Sequence, residues 1–223
     1  MSSEILINVT PSETRAVVVD NGVLQEVFIE RTEYRGLVGN IYKGKVCRVL
    51  PGMQAAFVEI GLVRAAFLHA SDISIPIGQT GDLQEIEVPP ISTLLREGQE
   101  IVVQVIKDPM GTKGARLTTQ LSVSSRYLVY MPDTQGVGVS LKIEDEPERD
   151  RLKNTLISQL ESEAGGYILR TAAEGVTEIE LLSDLQFLHR LWAKLVDRKA
   201  TLQCGVPLYE DLPLALRSLR DLF

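Results

Sequence analysis

Two phenylalanines are set apart from the aliphatic side chains of their own segments. In residues 54–60, alternation separates Phe57 from the small aliphatic residues, and in residues 64–69 it does the same for Phe67. The aliphatic faces of the two segments hold Ala56, Val58, Ile60, Ala66 and Leu68. An aromatic ring on the outer face of a strand can stack on a nucleobase, which contributes roughly 1–3 kcal/mol per base on single-strand-binding barrels. The same rings could instead anchor a protein interface.

Two further sites have the chemistry to bind phosphate. The sequence Gly-Thr-Lys-Gly at 111–114 combines glycines, which let the backbone approach a ligand, with the point charge of Lys113. Arg170 and Thr171 end a predicted strand, where a guanidinium fork and a hydroxyl can grip a terminal phosphate. Because an arginine at a strand end also pairs with acids or faces water, the pattern alone leaves this second site open.

No catalytic grouping can be read from the sequence. The acidic run at 144–150 precedes or opens a predicted helix, where carboxylates suit the positive helix end, so we interpret it as a solvated first turn. His69 and His189 are isolated, and Cys47 and Cys204 lack the spacing of a zinc site or a disulfide framework. The residues therefore indicate binding chemistry, with no catalytic residue and no metal ligand among them.

The composition narrows the class of protein. The chain has 223 residues and a formal net charge of -7, which argues weakly against a nucleic-acid binder. Binding follows local charge, however, and within residues 36–120 the basic residues balance the acidic ones. No apolar run is long enough to cross a bilayer and no signal peptide is apparent, so a cytoplasmic location is the default expectation.

The first half of the chain has a strand-rich pattern. Residues 5–30 predict a hairpin turning at Asn21-Gly22, followed by a third strand over 23–29. Residues 40–120 predict three strands, a loop over 73–90, a short helical piece, and two more strands. Five strands with a helix-bearing connection between the third and fourth are the layout of an OB-fold barrel.

From residue 121 the pattern mixes strands and helices. Strands are predicted over 127–131 and 167–171, and Pro147 stands at the first position of a helix that ends by Gly165-Gly166. A capping box at Thr177 and Glu180 begins a long helix, and a last helix is predicted over 209–223. The apolar stripes of the first two helices are Leu152, Leu156, Ile157 and Leu160, then Leu181, Leu185, Leu188, Trp192 and Leu195.

Several long motifs stand out in this sequence: NIYKGKVCRVLPGMQAAFVEIG, AAFLHASDI and GTKGARLTT in the barrel region, extended by MSSEILINVTPSETRAVVVDNG and ILRTAAEG. These motifs resemble those of the ribonuclease E/G family, and its ribonuclease G branch most. The resemblance covers essentially the whole chain, which it identifies with the N-terminal half of such a protein.

The resemblance implies an α+β, multidomain architecture. Residues 1–35 would begin an RNase H-like domain, into which an S1-type OB barrel over 36–120 is inserted. Residues 121–206 would form an α/β 5′-sensor domain. Residues 207–223 would return into the RNase H-like domain, which is truncated here.

Site residues are also implied by the resemblance. Phe57, Phe67 and Lys113 match positions that hold single-stranded RNA. Arg170 and Thr171 match those that recognise a 5′-monophosphate.

Two departures from the family pattern concern this 5′-phosphate site. Val129 and Ser125 match positions whose backbone assists phosphate recognition, but Ser125 stands where a relative has glycine. Leu141-Lys142 stands where a relative has two arginines, so one cationic contact is missing or supplied elsewhere.

The implied activity is that of a hydrolytic, magnesium-dependent endoribonuclease acting in rRNA processing and mRNA decay. The family's catalytic DNase I-like domain, with two metal-binding aspartates, and its structural zinc-link motif CPxCG are not in this sequence. We therefore expect the chain to bind single-stranded RNA with a 5′-monophosphate but not to cleave it. The full-length family proteins are homo-oligomers. The alternative is a stand-alone RNA-binding regulatory module without nuclease activity.

Overall fold

The computed structural model describes residues 2–74, 88–160 and 165–222. In chain order the strands are β1 (Ser3–Val9), β2 (Glu13–Asp20), β3 (Val23–Arg31), β4 (Ile41–Leu50), β5 (Ala55–Glu59), β6 (Ala66–His69), β7 (Glu100–Lys107), β8 (Arg116–Thr118), β9 (Val123–Ser124), β10 (Leu128–Met131), β11 (Gly136–Val139), β12 (Gly166–Leu169) and β13 (Pro207–Tyr209). The helices are α1 (Ile91–Leu94), α2 (Glu146–Ile157), α3 (Glu178–Thr201) and α4 (Leu214–Asp221). None of the helices in these ranges is long and apolar enough to cross a membrane.

One compact unit comprises Met1–Leu37 and Asp211–Phe223. Its antiparallel sheet has the order β1-β2-β3, and α4 packs on β2 and β3. The predicted turn between β2 and β3 is confirmed, because Asn21 and Gly22 have φ of 50° and 77°, as a two-residue hairpin turn requires. The assignment of this unit to an RNase H-like domain stays a prediction.

The other unit, Val38–Glu210, contains the barrel. Strands β4-β5-β6-β8-β7 form a sheet that closes on itself through a β4–β7 pairing, which confirms the predicted five-stranded barrel. Its interior is lined by fully buried aliphatic side chains, among them Val46, Val58, Leu68, Val105 and Leu117. The predicted loop over 73–90 falls largely on residues 75–87, which lie outside the described residues.

A second, four-stranded sheet in the same unit has the order β11-β12-β10-β9 and packs against α2 and α3. The capping box is confirmed: the Thr177 side chain accepts from the Glu180 N–H, and the Glu180 carboxylate accepts from the Thr177 N–H. The four leucines predicted as the core stripe of α3 are buried, and Trp192 packs against them. The 5′-sensor assignment of this region stays a prediction.

Several predicted boundaries were wrong. Helix α2 ends at Ile157, which is 48% exposed, so the apolar stripe does not continue to Leu160 as a helix. The last helix begins at Leu214 and not at residue 209, because residues 207–209 form strand β13, which pairs with β4. This strand is too short for its pattern to be visible in the sequence. The short strands β9 and β11 were also missed; β11 alternates glycine with valine, a composition that does not favour strands.

Candidate nucleic-acid interface

Phe57 and Phe67 meet on the outer face of the barrel. They are register partners on the antiparallel strands β5 and β6, and their ring centroids lie 6.1 Å apart at an interplanar angle of 68°. Both side chains are half-buried, whereas the aliphatic residues predicted for the opposite face are fully buried. The alternation of the two segments is therefore confirmed, and the structure joins the two rings into one aromatic surface.

Lys113 lies on an exposed turn that is tied to the strand carrying Phe67. The turn closes by two backbone hydrogen bonds between Met110 and Lys113, of 3.2 and 3.0 Å. The N–H of Phe67 donates to the Ala115 carbonyl at 2.7 Å. A Cβ on Gly114 would lie 2.1 Å from the Ala65 carbonyl oxygen, so the turn approaches β6 as only glycine permits. The structure thus brings Lys113 to the Phe67 side of the aromatic pair.

His69, which we interpreted as isolated, belongs to the same face. Its ring centroid is 6.4 Å from that of Phe67, with the two planes 30° apart, and its Nδ1 lies 2.8 Å from the Ser71 hydroxyl. The alternation of residues 64–69 predicts this placement, which is confirmed: His69 is two residues after Phe67 and shares its face, although no catalytic partner was assigned to it. Next to it is a groove of about 490 Å³, lined by Gln54, His69, Ala70, Ser71, Val88, Pro89 and Pro90.

The residue opposite Phe67 on the neighbouring strand β8 is held in an ion pair. Arg116 is the register partner of Phe67 on β8, and its guanidinium donates to both carboxylate oxygens of Asp72 at 2.9 and 3.2 Å. The hydrogen bond with Asp72 and the charge of its carboxylate raise the pKa of Arg116 above its ordinary value. This arginine is held by a carboxylate, so its charge is already compensated within the protein.

Arg170 stands just past the end of β12, held by the loop before β10. Its Nη1 donates to the carbonyls of Ser125 at 2.8 Å and Arg126 at 3.2 Å, and its N–H donates to the Tyr127 carbonyl at 2.8 Å. Thr171 follows it and is exposed, with its hydroxyl 3.1 Å from that of Ser140. The guanidinium and the two hydroxyls thus lie at one edge of the sheet. Ser140 was not singled out by the sequence, because its link to Thr171 spans thirty-one positions.

Ser125 is brought to Arg170, but its side chain points elsewhere. The residue is only 3% exposed, and its Oγ lies 2.6 Å from Oδ2 of Asp184 on α3. The same carboxylate oxygen accepts the N–H groups of Tyr127 at 3.0 Å and Leu128 at 3.1 Å. The geometry therefore gives Ser125 the role of orienting Arg170 through its carbonyl, and a direct phosphate contact by Ser125 stays a prediction.

Val129 and Lys142 occupy two different places around this edge. Val129 lies within β10, where its register partners are Ser124 and Ile168, so the pairing does not set it beside Arg170. Lys142 is exposed, and its N–H donates to the hydroxyl of Ser140 at 3.3 Å. The only cation of the predicted Leu141-Lys142 pair is thus on the loop that contacts Thr171.

The acidic run has two different roles. Asp145 is the N-cap of α2, as expected for an acidic first turn, with its side chain accepting from the Glu148 N–H. Glu148, however, is not solvated: its side chain is 15% exposed and accepts two hydrogen bonds from Arg151, at 2.6 and 2.7 Å, and one from the Gly175 N–H at 2.8 Å. The Arg151 hydrogen bonds, with that from Gly175, lower the pKa of Glu148 to about 2.

Within the described ranges, no group of three or more His, Cys, Asp or Glu side chains is placed to hold a metal ion. The Nε2 of His189 lies 2.8 Å from the hydroxyl of the buried Tyr167. His189 therefore has a packing role.

A model of the S1 RNA binding domain matches residues 37–120, and a model of the Ribonuclease E/G family matches residues 122–223. Ribonuclease G of Escherichia coli (strain K12) is 57% identical over 99% of this chain and 45% of its own length. Ribonuclease G of Haemophilus influenzae is 54% identical over 98% of this chain and 45% of its own. Ribonuclease E of E. coli is 35% identical over 97% of this chain and 20% of its own. The chain thus spans somewhat less than half the length of its ribonuclease G relatives.

Proposed function

Since the chain belongs to the ribonuclease E/G family, we propose that it is the part of such an enzyme that holds single-stranded RNA and senses a 5′-monophosphate end. The observation that carries the proposal is the pair Phe57–Phe67, half-exposed on the outer face of a five-stranded barrel. The region around the pair matches the S1 RNA binding domain.

The barrel binds RNA by stacking and charge. Each ring can take one nucleobase, and the face of every base is aromatic, so the contact tolerates different sequences. Lys113, exposed at the Phe67 side, supplies a cation for a phosphate of the same strand. A stretch of unpaired RNA is therefore the ligand that this surface suits.

The second sheet carries the 5′-end site. The Arg170 guanidinium is held in one orientation by two carbonyls, and the Thr171 hydroxyl lies next in sequence. A planar guanidinium forms paired hydrogen bonds with phosphate oxygens, and a terminal monophosphate has more oxygens and charge to offer than an internal one. Lys142 adds a cation from the neighbouring loop.

The activity of the whole protein is inferred from its relatives. They are named ribonucleases, and we propose that the parent protein is a hydrolytic endoribonuclease of single-stranded RNA in rRNA processing and mRNA decay, acting as a homo-oligomer. Magnesium-dependent cleavage is not assigned to any residue of this chain. We expect the 223-residue chain to bind RNA without cutting it, and magnesium-dependent cleavage by the purified chain would contradict this.

Binding of matched RNAs tests the proposal. The purified chain is titrated into a fluorescent, unstructured RNA oligonucleotide carrying either a 5′-monophosphate or a 5′-hydroxyl. Tighter binding of the monophosphate form is expected, and Arg170→Ala should reduce the preference while leaving binding of the hydroxyl form intact. Absence of RNA binding, or binding insensitive to salt, would favour a protein-binding role for the barrel. A preference that survives Arg170→Ala would place the sensor elsewhere.

A further inference from the structure

We propose that Arg48 is a further phosphate contact of the RNA-binding face, so that the bound strand crosses β4, β5 and β6 rather than running along one of them. The inference rests on the proposed RNA-binding function and adds to it one contact residue and the direction in which the RNA strand runs.

A β-bulge aims Arg48 at the outer face. Val46 pairs with Val58 and Arg48 pairs with Phe57, so Cys47 is an extra residue in β4. Val46 is fully buried in the barrel, and strict alternation would turn Arg48 inward beside it. The bulge reverses the phase, and Arg48 is exposed. Bulges are a common way to re-aim a side chain near a functional site.

The reversed phase completes a row across four strands. Arg48 is opposite Phe57, Phe57 is opposite Phe67, and Phe67 is opposite Arg116. Two aromatic rings are thus flanked by one arginine on each side. Because register partners lie directly opposite one another, the row runs perpendicular to the strands and is one residue wide, with neighbouring strands about 4.8 Å apart.

The two arginines differ in what holds them. Arg116 is bound by both oxygens of Asp72. Arg48 has no carboxylate at salt-bridge distance among residues 2–74, 88–160 and 165–222; the nearby Glu97 accepts instead from the Val49 N–H at 3.2 Å. An exposed guanidinium beside a stacking ring is available for a phosphate oxygen, whereas a paired one is not.

Arg48 and Lys113 therefore lie on opposite sides of the aromatic pair. Arg48 is beside Phe57 on β4, and Lys113 is on the turn leading into β8 beside Phe67. A strand whose two bases stack on the rings would place one phosphate at each cation. This arrangement assigns Arg48 the phosphate on the β4 side.

The salt dependence of RNA binding tests the role of Arg48. The affinity of the full chain for an unstructured RNA oligonucleotide is measured over a range of salt concentrations. The oligonucleotide has a 5′-hydroxyl, so that the proposed 5′-phosphate site does not contribute and the measurement reports on the barrel. Arg48→Ala should reduce the steepness of the log affinity against log salt plot by about 0.7, the value for one phosphate on a single strand. At 0.1 M salt this corresponds to about a fivefold loss of affinity. Arg48→Lys should keep most of the steepness.

The control removes the same charge elsewhere. Lys153 is exposed on α2, and Lys153→Ala should leave both the slope and the affinity close to those of the parent chain. The double variant of Arg48→Ala and Lys113→Ala should lose about twice the slope of either, because the two contacts are independent.

The outcomes separate this inference from the proposed function. An unchanged slope in Arg48→Ala, with binding weakened in Phe57→Ala, overturns the Arg48 contact and leaves RNA binding standing. A reduced slope in Arg48→Ala with no effect of Phe57→Ala supports the contact and removes the stacking assignment. If the unmutated chain does not bind the RNA, both the Arg48 contact and the proposed RNA-binding function are overturned.

Discussion

The Ser125 hydroxyl lies 2.6 Å from a carboxylate oxygen of Asp184, a residue 59 positions away on α3. That one oxygen also accepts the N–H groups of Tyr127 and Leu128. The loop it holds supplies the carbonyls that orient Arg170. A helix side chain therefore shapes the proposed 5′-end site without contacting the phosphate.

Asp184→Ala is expected to lower both the stability of the chain and its preference for 5′-monophosphate RNA. Three hydrogen bonds to a charged acceptor are lost, which should cost about 2–3 kcal/mol in the free energy of unfolding, measured by urea denaturation. The released loop should orient Arg170 less well, so the ratio of affinities for monophosphate and hydroxyl RNA should decrease. Asp197→Ala, on an exposed position of the same helix, is the control. A full preference in a folded Asp184→Ala chain would refute the positioning role.

Phe57→Ala and Phe67→Ala should each weaken binding of single-stranded RNA by roughly 1–3 kcal/mol, the contribution of one stack. Since the two rings contact one another, the double variant should lose less than the sum of the single effects. Fluorescence anisotropy with an unstructured oligonucleotide provides the affinities. Tyr34→Ala, which removes a 79% exposed ring outside the barrel, should change nothing. Unaltered affinity in both single variants would rule out stacking on this face.

Gly114→Ala should destabilise the barrel and weaken RNA binding together. The new methyl group would meet the Ala65 carbonyl oxygen at 2.1 Å, so the turn carrying Lys113 must move away from β6. Overpacking of this kind costs typically 1–3 kcal/mol, visible as a lower thermal midpoint. Gly52→Ala is the matched control, because a Cβ there has no atom within 4 Å. Equal midpoints for the two variants would show that the close approach is not required.

Glu148→Gln is expected to cost about 1.5–3 kcal/mol at neutral pH, through the loss of its charged hydrogen bonds with Arg151 and Gly175. The pKa of Glu148 is lowered from 4.5 to about 2 in the folded chain, so the unfolded chain binds the proton more readily. Its contribution is therefore complete above pH 4.5 and is lost as the pH falls towards 2. Denaturation of the unmutated chain and of Glu148→Gln is followed between pH 7 and 2. The difference in their free energies of unfolding should decrease as the pH falls from 4.5 towards 2. Asp150→Asn, an exposed neighbour, should show no such difference, and a pH-independent gap would contradict the assignment.

Much of the local structure could be predicted from short patterns. The alternation around Phe57 and Phe67, the Asn21-Gly22 turn and the Thr177/Glu180 capping box depend on residues a few positions apart, so the chain carries them in its own periodicity. The start of the last helix was misjudged because Tyr209, predicted to begin it, belongs instead to strand β13, which pairs with β4.

The sequence by itself determined which residues of β5 and β6 face outward, and which kinds of chemistry the chain holds: aromatic rings, a lysine turn, and an arginine next to a threonine. Only the tertiary structure decided how these meet. Registers between strands set Phe57 against Phe67, a bulge aims Arg48 outward, and Asp184 reaches Ser125 across 59 positions. The physical reason is range: a side-chain period is repeated every few residues, whereas register, bulges and buried polar contacts depend on how distant segments fill one core.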